Sequence, residues 1–133
     1  MELSDLIAAM PFAAGLDIEL VSATPEQAAG RLAWREELTT VGGAMHGGAI
    51  MTLADSIGAI CAFLNLPDGA ATSTASSSTV FTRGVRSGTV TATARRLHAG
   101  RSTVAVVTEV RDDAGKLVAQ VTQSQAVLAQ ASS

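Results

Sequence analysis

The chain has 133 residues, one domain's worth, and its 47% hydrophobic and 16% charged content excludes a disordered polymer. A net charge of −3 argues against nucleic-acid binding over the whole surface. A single Cys, Cys61, can form no internal disulfide, and its spacing to His46 and His98 fits no zinc pattern, so no metal site is expected.

In chain order, the start Met1-Glu2-Leu3-Ser4-Asp5 is acidic and lacks the basic stretch of a signal peptide, so a reduced, cytoplasmic location is expected. Leu3 to Met10 suggests a short helix. Asp17 to Ser22 and Gln27 to Arg35 carry apolar alternation and predict two strands, divided by Thr24-Pro25-Glu26. The longest apolar run, Ala44 to Leu64, contains His46 and Asp55 and has no basic flanks, which argues against a membrane span. It predicts a buried helix with two stripes. Ile50, Leu53, Ile57, Ile60 and Leu64 form a bulky ridge for a core. Gly48, Thr52, Asp55, Ala59 and Ala62 form a row of small side chains that admits a ligand or a second helix. Asn65-Leu66-Pro67-Asp68-Gly69 stops the helix.

Four longer strands follow at Thr72 to Arg83, Thr89 to Leu97, Ser102 to Arg111 and Lys116 to Leu128, with turn residues between them. The Ser/Thr run from Thr72 to Thr79 could pass for a linker, but it lacks Pro and Gly and runs into Val80-Phe81, which favours a strand. Short connections imply antiparallel pairing of successive strands. Residues 131–133 are expected to fray. The sum is an α+β fold in one domain, 1–133: five or six antiparallel strands around one long helix. The apolar surplus on so small a chain points to self-association.

Asp55 is the one acid between Glu37 and Asp68, and it sits on an apolar helix. A carboxylate there is either a packing hydrogen-bond partner or a reactive group, and buried acids cluster at sites. Gly47 and Gly48 stand at the helix start, where backbone N–H groups lack partners and a side-chain-free surface lets a carbonyl approach. No Gly-x-Ser-x-Gly motif supports a Ser nucleophile.

The segment Gly43-Ala44-Met45-His46-Gly47-Gly48, with an acid seven residues after the second Gly, resembles the signature of hotdog-fold acyl-CoA thioesterases. These are the phenylacetate-degradation (PaaI-like) and 4-hydroxybenzoyl-CoA thioesterase group. Gly100-Arg101-Ser102-Thr103 and Asp113 to Ala119 are similar to that family as well. The resemblance implies a hotdog fold and hydrolysis of a CoA thioester, CoA being part of the substrate and no cofactor being needed. It implies Asp55 as general base or nucleophile, the Gly47 N–H as the carbonyl-polarising donor, and His46 and Gly48 in the loop that positions the thioester. It also implies dimers that pair into tetramers. Where the family commonly has Asn or Gln seven residues before the oxyanion Gly, this chain has Thr40, which offers fewer groups. Ser73 falls where relatives carry a hydroxyl near the attacking water.

Of nine Lys and Arg, five (Arg83, Arg86, Arg95, Arg96 and Arg101) lie in an acid-free stretch. That stretch is either a solvated face or an anion site. Arg83-Gly84 and Gly100-Arg101-Ser102 resemble CoA-contacting segments of the family, and Arg suits phosphate through its planar fork. RNA is disfavoured by the lack of stacking aromatics. Two other readings are a non-hydrolysing acyl-CoA binding module, which Thr40 keeps open, and a hotdog hydratase or dehydratase, which the His-Gly-Gly-x6-Asp spacing fits poorly. Gly47 and Asp55 are eight residues apart, about 12 Å along a helix, so one helix cannot bring both to one carbonyl. A two-fold dimer with two shared sites satisfies both.

Overall fold

The computed structural model describes residues 2–129; the expected fray at 131–133 lies outside them. Two short helices open the chain, α1 (Leu3–Ala8) and α2 (Pro11–Gly15). The second was not expected. Strands β1 (Glu19–Ala23) and β2 (Gln27–Ala33) lead through a 3-10 turn at Glu36–Leu38 to the long helix α3 (Gly47–Phe63). Then come β3 (Ala71–Phe81), β4 (Thr89–Ala99), β5 (Thr103–Arg111) and β6 (Leu117–Leu128). The Ser/Thr run is therefore a strand. No helix among the described residues is long and apolar enough to cross a membrane.

All six strands join one antiparallel sheet in the order β1-β2-β4-β5-β6-β3. Among the strands joined by short connections, pairing of successive strands fails at one place. The segment from Thr82 to Gly88 is no hairpin: it carries the chain past β5 and β6, and β3 pairs with β6 at the sheet edge. Local turn residues carry no information about this long-range pairing.

The ridge of α3 is the centre of the core. Ile50, Leu53, Ile57 and Ile60 are all buried, against Val90, Val104, Val106, Val110, Val118 and Val121 of the sheet. Each such side chain contributes about 1.5–3 kcal/mol of apolar burial. The small row behaves as two parts. Gly48, Thr52, Asp55 and Ala59 are partly or fully accessible, whereas Ala62 is buried. The Asn65 amide stops the helix by donating to the carbonyls of Cys61 at 2.8 Å and Pro25 at 2.7 Å. Because α3 runs antiparallel to β3, Gly47 lies beside Phe81, Asp55 beside Thr74, and Phe63 towards Thr72.

Candidate active site

The loop entering α3 is built from a short hairpin. Thr39 bridges Met45, the Thr40 N–H donates to the Ala44 carbonyl at 2.9 Å, and Gly42 and Gly43 take φ of +90° and +85°, which only glycine adopts readily. The Trp34 indole pins this loop by donating to the Gly43 carbonyl at 3.1 Å, and the Arg86 guanidinium donates to the Gly42 carbonyl. Thr40 is exposed at its rim, and its hydroxyl has no partner among the described residues.

His46 is the N-cap of α3: its Nδ1 accepts the Gly48 N–H at 2.8 Å. The imidazole proton then sits on Nε2, and the Gly48 donor is consumed. The Gly47 N–H has no acceptor among the described residues, so the positive end of the helix presents one open donor. The Phe81 ring covers Gly47 closely, since a Cβ there would lie 3.1 Å from Phe81 Cζ.

Two turns further on, Asp55 opens onto a hollow of about 320 Å³ lined by Gly48, Met51, Thr52, Thr74 and Ser77. Its Oδ1 accepts from Gln123 Nε2 at 2.6 Å and from Thr74 Oγ1 at 3.1 Å. Its Oδ2 has no donor among the described residues. The Thr52 hydroxyl is spent on the Gly48 carbonyl at 2.8 Å.

The strand register decides which β3 hydroxyls face Asp55. Thr72 and Thr74 both reach Gln125, so the intervening Ser73 points to the other face. An irregularity between Thr74 and Ser76 then brings Ser77 to the helix side. Thr74 and Ser77, rather than Ser73, stand beside Asp55 in this chain. Gln123 and Gln125 escaped the sequence reading. The available signal was period-two alternation: Val121, Gln123 and Gln125 share the inward face of β6, and two amides there break the pattern.

The arginines are dispersed. Arg83 and Gly84 follow the Phe81 end of β3, and Arg83 Nε lies 3.4 Å from Asp112. Arg96 donates to Asn65 at 2.9 Å. Gly100, Arg101 and Ser102 form the β4–β5 turn at the opposite end of the sheet, where the Ser102 carbonyl accepts the Val127 N–H. About 30 Å of strand separates Arg83 from Arg101 within one chain. Arg101 is exposed and has no anionic partner among the described residues. Cys61 is buried, and loss of solvent raises its thiol pKa above the ordinary value, with the Arg96 charge pulling weakly the other way. It is not a nucleophile in waiting.

One helix wrapped by six antiparallel strands, with a lone carboxylate over a hollow and an open N–H at the helix start, defines a hotdog-fold enzyme of the thioester-hydrolase class. The chain belongs to the thioesterase superfamily, whose family model matches residues 42–119. It is 30% identical over 114 residues to the Mycobacterium tuberculosis protein Rv1847, provisionally designated an esterase, covering 84% of this chain and 81% of that one. The structure of that protein superposes with a TM-score of 0.88 at 28% identity, covering 92% of this chain and all of the other. A variant of the Pseudomonas aeruginosa thioesterase PA1618 gives 0.90 at 27% identity, covering 96% and 94%. The Haemophilus influenzae thioesterase HI1161 shares the fold, with a TM-score of 0.92 at 23% identity over 99% and 94% of the two chains.

Proposed function

We propose that this protein hydrolyses acyl-CoA to free acid and CoA at a site shared between two copies of the chain. The observation that carries the reading is the state of Asp55. One carboxylate oxygen is held by two donors, the other has none among the described residues, and the side chain opens onto a hollow, while the Gly47 N–H at the start of α3 also has no acceptor among the described residues. As a general base, Asp55 takes a proton from water as the water oxygen attacks the thioester carbonyl carbon. Negative charge then grows on the carbonyl oxygen, where the Gly47 N–H stabilises it, and the C–S bond breaks to release CoA thiolate. As a nucleophile, the Asp55 carboxylate expels the thiolate to form a mixed anhydride that water then opens. His46 fixes the loop through its cap, and Gly48 and Thr40 border the approach.

Two features support a shared site. Gly47 and Asp55 are about 12 Å apart along α3, further than one carbonyl and its water can bridge. The edge strand β3 bears neither charge nor Pro over its eleven residues, which is the kind of edge that pairs with another chain. Met51, Phe63 and Phe81 add accessible apolar surface on the same side. Dimer, and dimer of dimers, are the assemblies proposed. The CoA phosphates are assigned to Arg83 with Gly84 or to the Gly100-Arg101-Ser102 turn. Because the two lie at opposite ends of the sheet in one chain, a given CoA meets both only if partners contribute them. The cytoplasm is the proposed location.

The test is release of free thiol from benzoyl-CoA, octanoyl-CoA and isovaleryl-CoA, an aromatic, a medium-chain and a branched substrate. Turnover of at least one supports hydrolysis. Tight binding of these esters with no thiol released selects the non-hydrolysing module, whose one support is Thr40.

A further inference from the structure

We propose that Gln123, acting with Thr74 and Gln125, is a positioning residue that locks the Asp55 carboxylate and directs its second oxygen at the reacting group. The proposal rests on the reading of Asp55 as base or nucleophile. The hydrogen bonds form a chain with a defined direction. The Thr72 hydroxyl stands between two acceptors, the Ala126 carbonyl at 3.0 Å and Gln125 Oε1 at 3.3 Å, and the Gln125 Nε2 donates to Thr74 Oγ1 at 2.9 Å. With that lone pair occupied, the single Thr74 proton is aimed at Asp55 Oδ1, 3.1 Å away. Gln123 Nε2 donates to the same oxygen at 2.6 Å. Both donors therefore converge on Oδ1, the plane of the carboxylate is fixed, and Oδ2 keeps its lone pairs for water or carbonyl carbon.

What the fold gives up for this arrangement argues against a packing role. Gln123 and Gln125 are fully buried on the inward face of β6, which they share with Val121. Gln123 Oε1 has no hydrogen-bond partner among the described residues, nor has the buried Thr108 hydroxyl near it. A leucine would fill this space without stranding an oxygen. Helix α3 also gives way: a Cβ at Gly58 would lie 1.9 Å from Gln123 Oε1. A glycine in mid-helix is itself unfavourable, and here its absent side chain is the room in which the amide sits. The one end of Gln123 that is satisfied is the end that touches Asp55.

The test uses Gln123→Met, which keeps the length and loses the N–H donor, with Gln123→Leu and Thr74→Val as independent variants, each checked for folding by circular dichroism. Thiol release from whichever of benzoyl-, octanoyl- or isovaleryl-CoA turns over best is the assay. In Gln123→Met, kcat is expected to fall roughly ten- to a hundredfold, the scale of a misplaced catalytic group, with KM within about twofold. Thr74→Val should fall less. The same substitutions are then made in Asp55→Asn, where the residual rate should not fall further, because a residue that acts through Asp55 has nothing left to orient. If the residual rate drops as much as in the wild-type background, or if KM rises in step with the loss of kcat, the role is structural and the proposal is overturned. An unchanged kcat in folded Gln123→Met beside an inactive Asp55→Asn also overturns it and leaves the reading of Asp55 intact. Full activity in Asp55→Asn instead overturns the reading beneath it.

Discussion

Mixing two inactive variants tests whether the site is shared. In Asp55→Asn the carboxylate is lost, and in Gly47→Val a side chain intrudes where a Cβ alone would stand 3.1 Å from the Phe81 ring. Phe81 is about half exposed and can swing aside, so the added bulk obstructs the carbonyl at the Gly47 N–H rather than the core. Within one chain the two positions are about 12 Å apart along the axis, against the ~3 Å over which base, water, carbonyl and donor must meet. In a two-fold dimer, each site draws Gly47 from one copy and Asp55 from the other. Equal amounts of the two variants, exchanged at random, give about half mixed dimers, and each mixed dimer holds one site with both native residues. Activity should return to about a quarter of wild type per unit of protein. The assay is thiol release before and after exchange, with the mixed species confirmed by native mass spectrometry on differently tagged chains. A mixture that contains mixed dimers and stays inactive refutes the geometry, since it requires both residues of a site to come from one chain.

Replacing Arg101 or Arg83 with Ala is expected to raise KM for acyl-CoA several-fold while kcat changes little, with no effect on a truncated thioester that lacks the nucleotide; equal responses to both substrates would make these arginines structural. Ile57→Ala, at the centre of the α3 ridge and fully buried, should cost about 2–5 kcal/mol of stability in chemical denaturation, and a loss below 1 kcal/mol would contradict the packing described. Cys61 should resist a thiol reagent at neutral and mildly alkaline pH in the folded protein and react fully after unfolding, because burial raises its pKa and denies access; rapid native labelling would show that α3 opens at its C-terminal end.

Much of the fold was readable because its periodicities are local. The ridge at Ile50, Leu53, Ile57 and Ile60 marks α3, and alternation with turn residues marks six strands to within a few residues. The place of β3 at the edge was not readable, since its pairing with β6 is a contact between residues such as Ala71 and Leu128 that no turn specifies. Asp55, Gly47 and His46 stand out as candidates from the spacing of one motif. The structure refines their parts by giving the Gly48 donor to His46 and leaving Gly47 open. That Thr74 and Ser77 face α3 within the chain while Ser73 points away was not legible, because a one-residue register, further displaced by an irregularity at Thr74 and Ser76, decides which hydroxyls face the helix. Gln123 was visible only as an inward polar position. Its meaning required knowing that β6 passes beneath Asp55. The basic stretch from Arg83 to Arg101 looked like one patch because sequence distance hides that a full strand carries its ends apart.

The most direct measurement is the steady-state rate of thiol release by Asp55→Asn, a substitution that keeps the shape of the side chain and can still meet the Thr74 and Gln123 hydrogen-bonding groups while losing its capacity to take a proton or attack a carbonyl. On this account the folded variant, matched to wild type by circular dichroism and thermal melting, loses at least about a hundredfold in kcat. Turnover within a few-fold of wild type in the same folded protein would contradict it.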